Sequence, residues 1–304
     1  MRRTWQAETK LNQSQNIIGF IGVGVMGEPM CRNLKLKSGA RVIALDRDAA
    51  PLERLAQDGV VVAANIKQVA EPASVVFLSL PSGEAVDEVM HGQDGILSTL
   101  RAGQTIVDTS TSPVDLTRAL ARECAERGAA FIDAPVARTR AAAEAGTLAV
   151  MVGADEATFD KVRPLLATFA SDITLCGPVG CGQVVKILNN MVLFETVIAL
   201  SEAKAIAERA GVAGAVLFDA LSKGSADSFA LRNHGMKAVL PKQFPERAFS
   251  VSYARKDLAY ALRLAHATDV QANGARVADE WFAQGIEQGV QDQYWPVVSR
   301  LIGG

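Results

Sequence analysis

From Asn16 onward, short runs rich in β-branched residues alternate with helix-forming stretches, and this alternation stops at Gly182. The runs occupy 17–21, 41–45, 60–62, 75–80, 105–107, 130–132, 148–152 and 173–175. Strands covered on both faces by crossover helices read as unbroken apolar runs rather than as alternating ones, and Val75-Val76-Phe77-Leu78 and Ile106-Val107 do so. The pattern predicts an α/β fold with a doubly wound, mainly parallel Rossmann-type sheet. Beyond Gly182, residues 183–210 hold no Gly or Pro, are rich in Ala, Leu, Glu and Lys, and end at Gly211. One helix of about 28 residues, roughly 42 Å long, follows from that composition. Further helices are expected at 213–221, 229–239, 251–267, 273–288 and 295–302, with Pro241 and Pro245 marking a loop. The boundary falls near Pro178. This gives an extension at 1–15 that reads as disordered, a dinucleotide-binding domain at 16–178 and an all-helical domain at 179–304 that supplies substrate and oligomer contacts.

Composition removes several classes of function. With 31 Lys+Arg against 33 Asp+Glu and a net charge of -2, no basic run neutralises a phosphate backbone, so no nucleic-acid partner is expected. Four cysteines without a CxxC pair and three histidines indicate neither a metal site nor a disulfide framework. The opening Met1-Arg2-Arg3 leads into polar residues instead of an apolar core, unlike a signal peptide, and the apolar stretch at 191–200 is interrupted by Glu195. A cytoplasmic protein without a membrane partner is expected.

Gly22-Val23-Gly24-Val25-Met26-Gly27 follows the first run directly and precedes a stretch able to open a helix. Glycines there permit a tight turn and close backbone approach, and the helix N-terminus offers unpaired N–H groups to a pyrophosphate. Gly22, Gly24, Val25, Met26 and Gly27 are therefore candidate cofactor contacts. Asp46 ends the second run, where a carboxylate accepts ribose hydroxyls and repels a 2'-phosphate, which favours NAD over NADP. Arg47 next to it reads either as a 2'-phosphate ligand or as a surface charge.

Ahead of the long helix lies Gly177-Pro178-Val179-Gly180-Cys181-Gly182, and the helix then carries Lys186, Asn189 and Asn190. Lys186 and Asn190 fall one turn apart on one face. Flanked by Val184, Val185, Ile187 and Leu188, Lys186 is expected near the buried side, where desolvation and a positive nicotinamide ring would depress its pKa toward proton-transfer use. Spacing alone equally allows a lysine that reaches solvent or pairs with Glu195. The apolar faces of so long a helix predict a homodimer or homotetramer.

Taken with Asp108-Thr109-Ser110-Thr111, Asp133-Ala134-Pro135-Val136, Gly146-Thr147-Leu148 and Lys256-Asp257-Leu258, these segments resemble the β-hydroxyacid dehydrogenase family from Asn16 almost to the C-terminus. The resemblance implies an NAD(P)-dependent enzyme interconverting a short anionic 3-hydroxy acid and its semialdehyde, as family members do with 3-hydroxyisobutyrate and 2-hydroxy-3-oxopropionate. It implies that Lys186 exchanges a proton with the substrate oxygen, that Asn190 places the substrate, and that Lys256 approaches the nicotinamide. The segment Thr109 to Ser112 would lie beside the nicotinamide ribose, with Thr111 a cofactor contact and Ser110 a substrate contact, and Leu80 and Pro81 would pack on the adenosine half.

One segment departs from the family. Members commonly continue the Asp-x-Pro-Val motif with Ser-Gly-Gly, which receives the substrate carboxylate, whereas this chain has Ala137-Arg138-Thr139. Arg138 would offer a fork of donors to an oxyanion, and Thr139 a hydroxyl. The variant is similar to the sulfolactaldehyde-reducing branch, as are Gln291-Asp292 with Trp295. A plainer alternative pairs Arg138 with Glu144 at the surface. Succinic semialdehyde reduction, imine reduction, a sugar-acid phosphate dehydrogenase and a non-catalytic nucleotide-binding interaction protein are the rival readings. Imine reducers of this kind usually replace the lysine, the phosphogluconate enzymes carry a longer helical domain, and an interaction protein would not need Lys186, Asn190 and Lys256.

Overall fold

The computed structural model describes residues 17–246 and 248–303, so the 1–15 extension lies outside the described residues. By compactness the chain divides into two units, one ending at Lys186 and one running from Ile187.

The first unit alternates β1 (Ile17–Ile21), α1 (Gly27–Ser38), β2 (Arg41–Leu45), α2 (Ala49–Gln57), β3 (Val61–Val62), α3 (Ile66–Ala70), β4 (Val75–Leu78), α4 (Gly83–His91), β5 (Thr105–Asp108), α5 (Val114–Glu126) and β6 (Ala130–Asp133). β7 (Val136–Ala137), α6 (Arg140–Ala145), β8 (Leu148–Gly153), α7 (Glu156–Leu166) and β9 (Ala170–Gly177) complete it. Among the described residues these strands form one sheet in the order β3-β2-β1-β4-β5-β6-β8-β7, with β9 also on β8. Pairing is parallel from β3 through β6, and β8 runs antiparallel to β6 and β7. This is the predicted doubly wound sheet. The two-residue β7 escapes the sequence pattern because it is too short to show any period.

Successive strand residues point to opposite faces, so each strand feeds two cores. Phe20 and Phe77 enter one core with Met30, Leu34 and Phe169, while Ile21, Val76 and Leu78 enter the other with Met90, Ile106 and Leu120. Phe20 and Phe77 stack at 5.9 Å, and Phe169 meets Phe77 edge-on at 6.0 Å. Each such ring contributes about 1.5–3 kcal/mol by burial. Side-chain caps end the loops: Asp48, Asn65, Ser82, Thr139 and Asp155 each accept a first-turn N–H of the following helix.

α8 (Cys181–Arg209) opens in the first unit and continues into the second. Over its best window its mean hydropathy is 1.5, enough by length and composition to cross a membrane. Part of its apolar surface is buried: Phe194 packs against Phe282 at 5.2 Å and Trp295 at 4.9 Å in the core of the second unit. That unit adds α9 (Gly214–Leu221), α10 (Val251–Ala267) and α11 (Asn273–Glu287). The segment expected as an α-helix near 229–239 is a π-helix at Leu231–Val239, and the C-terminal helix is a 3₁₀ turn at Trp295–Arg300.

Candidate active site

The turn after β1 has the shape a dinucleotide needs. Gly22 sits at φ +92°, and a Cβ there would meet the Ser79 carbonyl at 2.3 Å; a Cβ on Gly27 would meet the Gly22 carbonyl at 2.0 Å. Beside Gly24 there is nothing within 4 Å. The outer glycines thus close the turn, while the middle one keeps its surface open to a ligand. Gly24 and Val25 are exposed, Met26 is half-buried, and α1 begins at Gly27 without a side-chain cap. These residues fit a pyrophosphate at a helix N-terminus.

Asp46 supports the turn from β2: Oδ2 accepts the Val23 N–H at 2.6 Å and Oδ1 the Asp48 N–H at 2.8 Å. Each carboxylate oxygen retains a lone pair for a ribose hydroxyl. Arg47 points away, its exposed guanidinium paired with Glu88 of α4 at 2.8 Å. Of its two readings, the surface charge describes this structure.

The ends of β4 and β5 are stitched together. Leu80 N–H donates to Ser110 Oγ at 2.9 Å, and Thr109 Oγ1 donates to the Leu78 carbonyl at 2.6 Å. Ser110 is buried, Thr111 and Leu80 are half-buried, and Pro81 is exposed. The Ser110 hydroxyl therefore serves the loop as an acceptor, and its side chain also hydrogen-bonds Asp108.

Two buried carboxylates lie behind this loop. Asp108 accepts the Ser110 N–H at 2.9 Å and the Ser112 hydroxyl at 2.8 Å. Burial pushes its pKa up to about 6, against the lowering effect of those bonds. Asp133, at the end of β6, accepts the Gly180 and Gln183 N–H groups, each at 2.7 Å, and burial pushes it up to about 6 as well. Asp133 thus caps α8 from another element, satisfying donors that the helix itself leaves unpaired. The fit is close: a Cβ on Gly153 would meet Asp133 Oδ1 at 2.3 Å, and one on Gly182 would meet Asp133 Oδ2 at 2.8 Å. Lys186 follows one turn along α8 and is half-buried, with Ile187 buried but Val185 and Leu188 exposed. The expected apolar surround is thus one-sided. Asp108, Asp133 and Gln183 were not among the candidates from sequence. An acid ending a strand immediately before a glycine- or proline-bearing loop is the signal that points to such a cap.

The segment 137–139 corrects one expectation. Arg138 Nη1 pairs with Asp172 at 2.8 Å and donates to the Thr147 carbonyl at 2.6 Å and Ser171 Oγ at 3.1 Å. Glu144 instead pairs with Arg140 at 2.9 Å, one helical turn away, so the Arg138–Glu144 alternative does not hold. Nη1 of Arg138 is thus directed to β9 and to the residue before β8. Its backbone sits at φ +87°, a conformation that glycine adopts freely and arginine only under strain. Ala137 is half-buried in β7, and the Thr139 hydroxyl is engaged as the N-cap of α6.

In the second unit Asn190 is buried; its Nδ2 donates to Asp257 Oδ2 at 2.7 Å, and its Oδ1 accepts from Asn189 Nδ2 at 3.1 Å. Lys256 Nζ lies 3.1 Å from Asp257 Oδ1 and about equally far from the Tyr253 and Tyr260 rings, at 5.5 and 5.4 Å. Asn190, Asp257 and Lys256 therefore form one buried polar group built from α8 and α10. Trp295, grouped with Gln291 and Asp292 in the sequence, is fully buried among aromatic rings and is a core residue.

Comparison with known proteins gives this geometry its family. Residues 17–177 match the model for the NAD binding domain of 6-phosphogluconate dehydrogenase, and residues 180–298 match that for the NAD-binding region of NADP-dependent 3-hydroxyisobutyrate dehydrogenase. The chain belongs to the β-hydroxyacid dehydrogenase family. This family member is 36% identical to 2-(hydroxymethyl)glutarate dehydrogenase of Eubacterium barkeri over 90% of each chain. It is 34% identical to the 2-hydroxy-3-oxopropionate reductase of Escherichia coli, covering 87% of this chain and 89% of the relative. Its fold matches the solved 3-hydroxyisobutyrate dehydrogenase of Mycobacterium tuberculosis with L-serine at a TM-score of 0.87 and 30% identity, over 95% of this chain and all of the other. The chain is accordingly an NAD(P)-dependent oxidoreductase acting on a CH–OH group.

Proposed function

We propose that this enzyme interconverts a short 3-hydroxy acid carrying a carboxylate and its semialdehyde, with Lys186 as the proton donor and acceptor. When bound, the nicotinamide supplies or accepts the hydride. Lys186 gives its proton to the aldehyde oxygen during reduction and takes it back during oxidation, which avoids a free alkoxide. Asn190, one turn further along the same face, hydrogen-bonds the substrate, and its amide is oriented for this by Asp257. Gly22, Gly24, Val25, Met26 and Gly27 carry the pyrophosphate and Asp46 the adenosine ribose. What carries the reading is the seat of α8: Asp133 fixes the backbone of Gly180 and Gln183 at 2.7 Å, so the helix that bears Lys186 starts from a rigid point.

A carboxylate is favoured over a sulfonate because Nη1 of Arg138, the residue on which the sulfonate reading depends, is already engaged by Asp172 and Thr147. The backbone of 137–139, bent as a glycine would bend it, receives the substrate anion in place of the Arg138 fork. NAD is favoured over NADP because Asp46 faces the glycine turn while Arg47 turns to Glu88. We further propose self-association through α8, where Val192 and Ile206 are exposed.

The test is spectrophotometric. NADH and NADPH oxidation is followed with 2-hydroxy-3-oxopropionate, methylmalonate semialdehyde, succinic semialdehyde and sulfolactaldehyde, alongside NAD reduction with 2-(hydroxymethyl)glutarate. Turnover with a carboxylate substrate and NADH is expected. Silence across the carboxylates, or near-normal turnover of Lys186→Ala, would sink the reading.

A further inference from the structure

Gln183 lies in the first turn of α8 and is wholly buried. A primary amide is costly there unless its groups are paired. Both are paired to one loop: Nε2 donates to the Ser110 carbonyl at 2.8 Å, and Oε1 accepts the Ser112 N–H at 3.1 Å. The backbone N–H of Gln183 donates to Asp133 Oδ2 at 2.7 Å. The side chain thus grips the loop after β5 at two points, while the main chain is held by the end of β6.

The gripped loop is itself tied down. Asp108 accepts from the Ser110 N–H and the Ser112 hydroxyl, and Ser110 Oγ accepts from Leu80 N–H. Buried hydrogen bonds therefore run without a break from the end of β4, through the loop after β5, to the first turn of α8, all within the first unit. The helix start is also closely seated, since a Cβ at Gly182 would meet the Met151 carbonyl at 2.4 Å and the Gly153 nitrogen at 2.9 Å. With the main chain held by Asp133, the Gln183 side chain adds two further points of attachment that resist rotation of this first turn about the helix axis.

We propose that Gln183 is a positioning residue: by pinning the first turn of α8 to Ser110 and Ser112, it sets the direction in which Lys186 projects. An α-helix is stiff over a single turn, so a rotation at Gln183 is transmitted whole to a residue three positions on. The inference rests on the acid–base role given to Lys186 above. Its consequence is kinetic, since misplacing a reacting group by about 1 Å costs up to about a hundredfold in rate.

The test compares wild type, Lys186→Ala, Gln183→Met and Gln183→Glu. Methionine keeps the shape and removes both hydrogen-bonding groups. Glutamate keeps an acceptor for the Ser112 N–H and loses the donor to the Ser110 carbonyl, which only its protonated form restores. Asp108 and Asp133 surround that position, with Arg118 of α5 beside Gly180. For both Gln183 variants we expect kcat lower by about tenfold or more, KM for the aldehyde within about threefold, and cofactor Kd from fluorescence titration within about twofold. The ratio of Gln183→Glu to wild-type kcat should rise as pH falls, because protonation rebuilds the clamp. A residue contributing stability alone would lower the melting temperature and leave kcat of the folded enzyme and that ratio unmoved. Folded Gln183→Met with near wild-type kcat, or a Gln183→Glu ratio that stays flat and below one, overturns the proposal; if Gln183→Met fails to fold, Gln183→Glu decides at a pH high enough to ionise the introduced carboxyl, where near wild-type kcat overturns it. Lys186→Ala separates the two readings: if it turns over normally, both fall, whereas if it is inactive while the Gln183 variants are normal, only the positioning role falls.

Discussion

Asp133 Oδ2 accepts the backbone N–H of Gln183 at 2.7 Å, so a strand end on one side of the sheet caps the helix that carries Lys186. The other oxygen of the same carboxylate holds Gly180 at 2.7 Å. Two donors therefore need two acceptors. Asn at this position supplies one acceptor and turns an NH₂ group toward the second backbone N–H. Asp133→Asn is expected to lose about 1–3 kcal/mol in urea unfolding, because a buried donor is left unpaired, and to lose turnover with it. An unchanged unfolding midpoint would show that the cap does not bear on α8.

Asp108→Asn is expected to behave differently. One of its partners, the Ser112 hydroxyl, can reverse from donor to acceptor, so the amide finds bonds on both sides. The loss should stay within about 1 kcal/mol, since the hydrogen bonds are exchanged rather than removed. Circular dichroism melts of the two Asn variants side by side make the comparison; an equal or larger loss at Asp108 would contradict it.

Burial raises Asp108 from 3.8 to about 6. Between those values the native state binds more protons than the unfolded chain, so this group's contribution to stability falls as pH rises through the window and is constant above it. Removing the titration should reverse the trend. The stability difference between Asp108→Asn and wild type should move in favour of the variant from about pH 4 to about pH 6 and then level off. Urea midpoints measured across that range test the sign, and a difference independent of pH would rule it out.

Arg138 holds a backbone φ of +87° while its side chain reaches Asp172. Arg138→Gly relieves strain of about 1 kcal/mol and gives up a largely exposed ion pair of similar or smaller worth. Stability should therefore change little, and kcat/KM for a carboxylate substrate should stay within about threefold of wild type, the energetic equivalent of under 1 kcal/mol. A loss of tenfold or more would return Arg138 to the role of anion ligand.

Gly24 and Gly27 should part company on substitution. Gly27→Ala drives a Cβ to 2.0 Å from the Gly22 carbonyl and should destabilise the first unit. Gly24→Ala meets no protein atom within 4 Å, so folding should be preserved. The methyl group instead stands where the pyrophosphate approaches, and NADH affinity should drop at least about tenfold. Tryptophan fluorescence titration with NADH, together with thermal melts, separates the two effects; normal NADH binding by Gly24→Ala would displace the cofactor from this turn.

The strand runs, the glycine turn and the long helix were legible because each depends on local chemistry. β-branched residues covered by helices give unbroken apolar runs, a turn with φ near +92° at Gly22 calls for glycine, and a stretch without Gly or Pro continues as α8. The residues of Ala137-Arg138-Thr139 were legible as a departure from the family, but the partner of Arg138 was not. Arg138 and Asp172 are far apart in sequence and meet only because β9 lies beside β8. Asp133 reads as the polar end of an apolar strand, and Gln183 as an ordinary helix residue. Burial at the end of the sheet is what turns one into a cap with a raised pKa and the other into a two-point clamp. Sequence by itself determined the main strands, the long helix, the glycine turn and the family, because periodicity, glycine and motif order act over a few residues. Tertiary structure alone decided which polar groups are desolvated and who satisfies them, because that depends on neighbours that only the folded chain brings together.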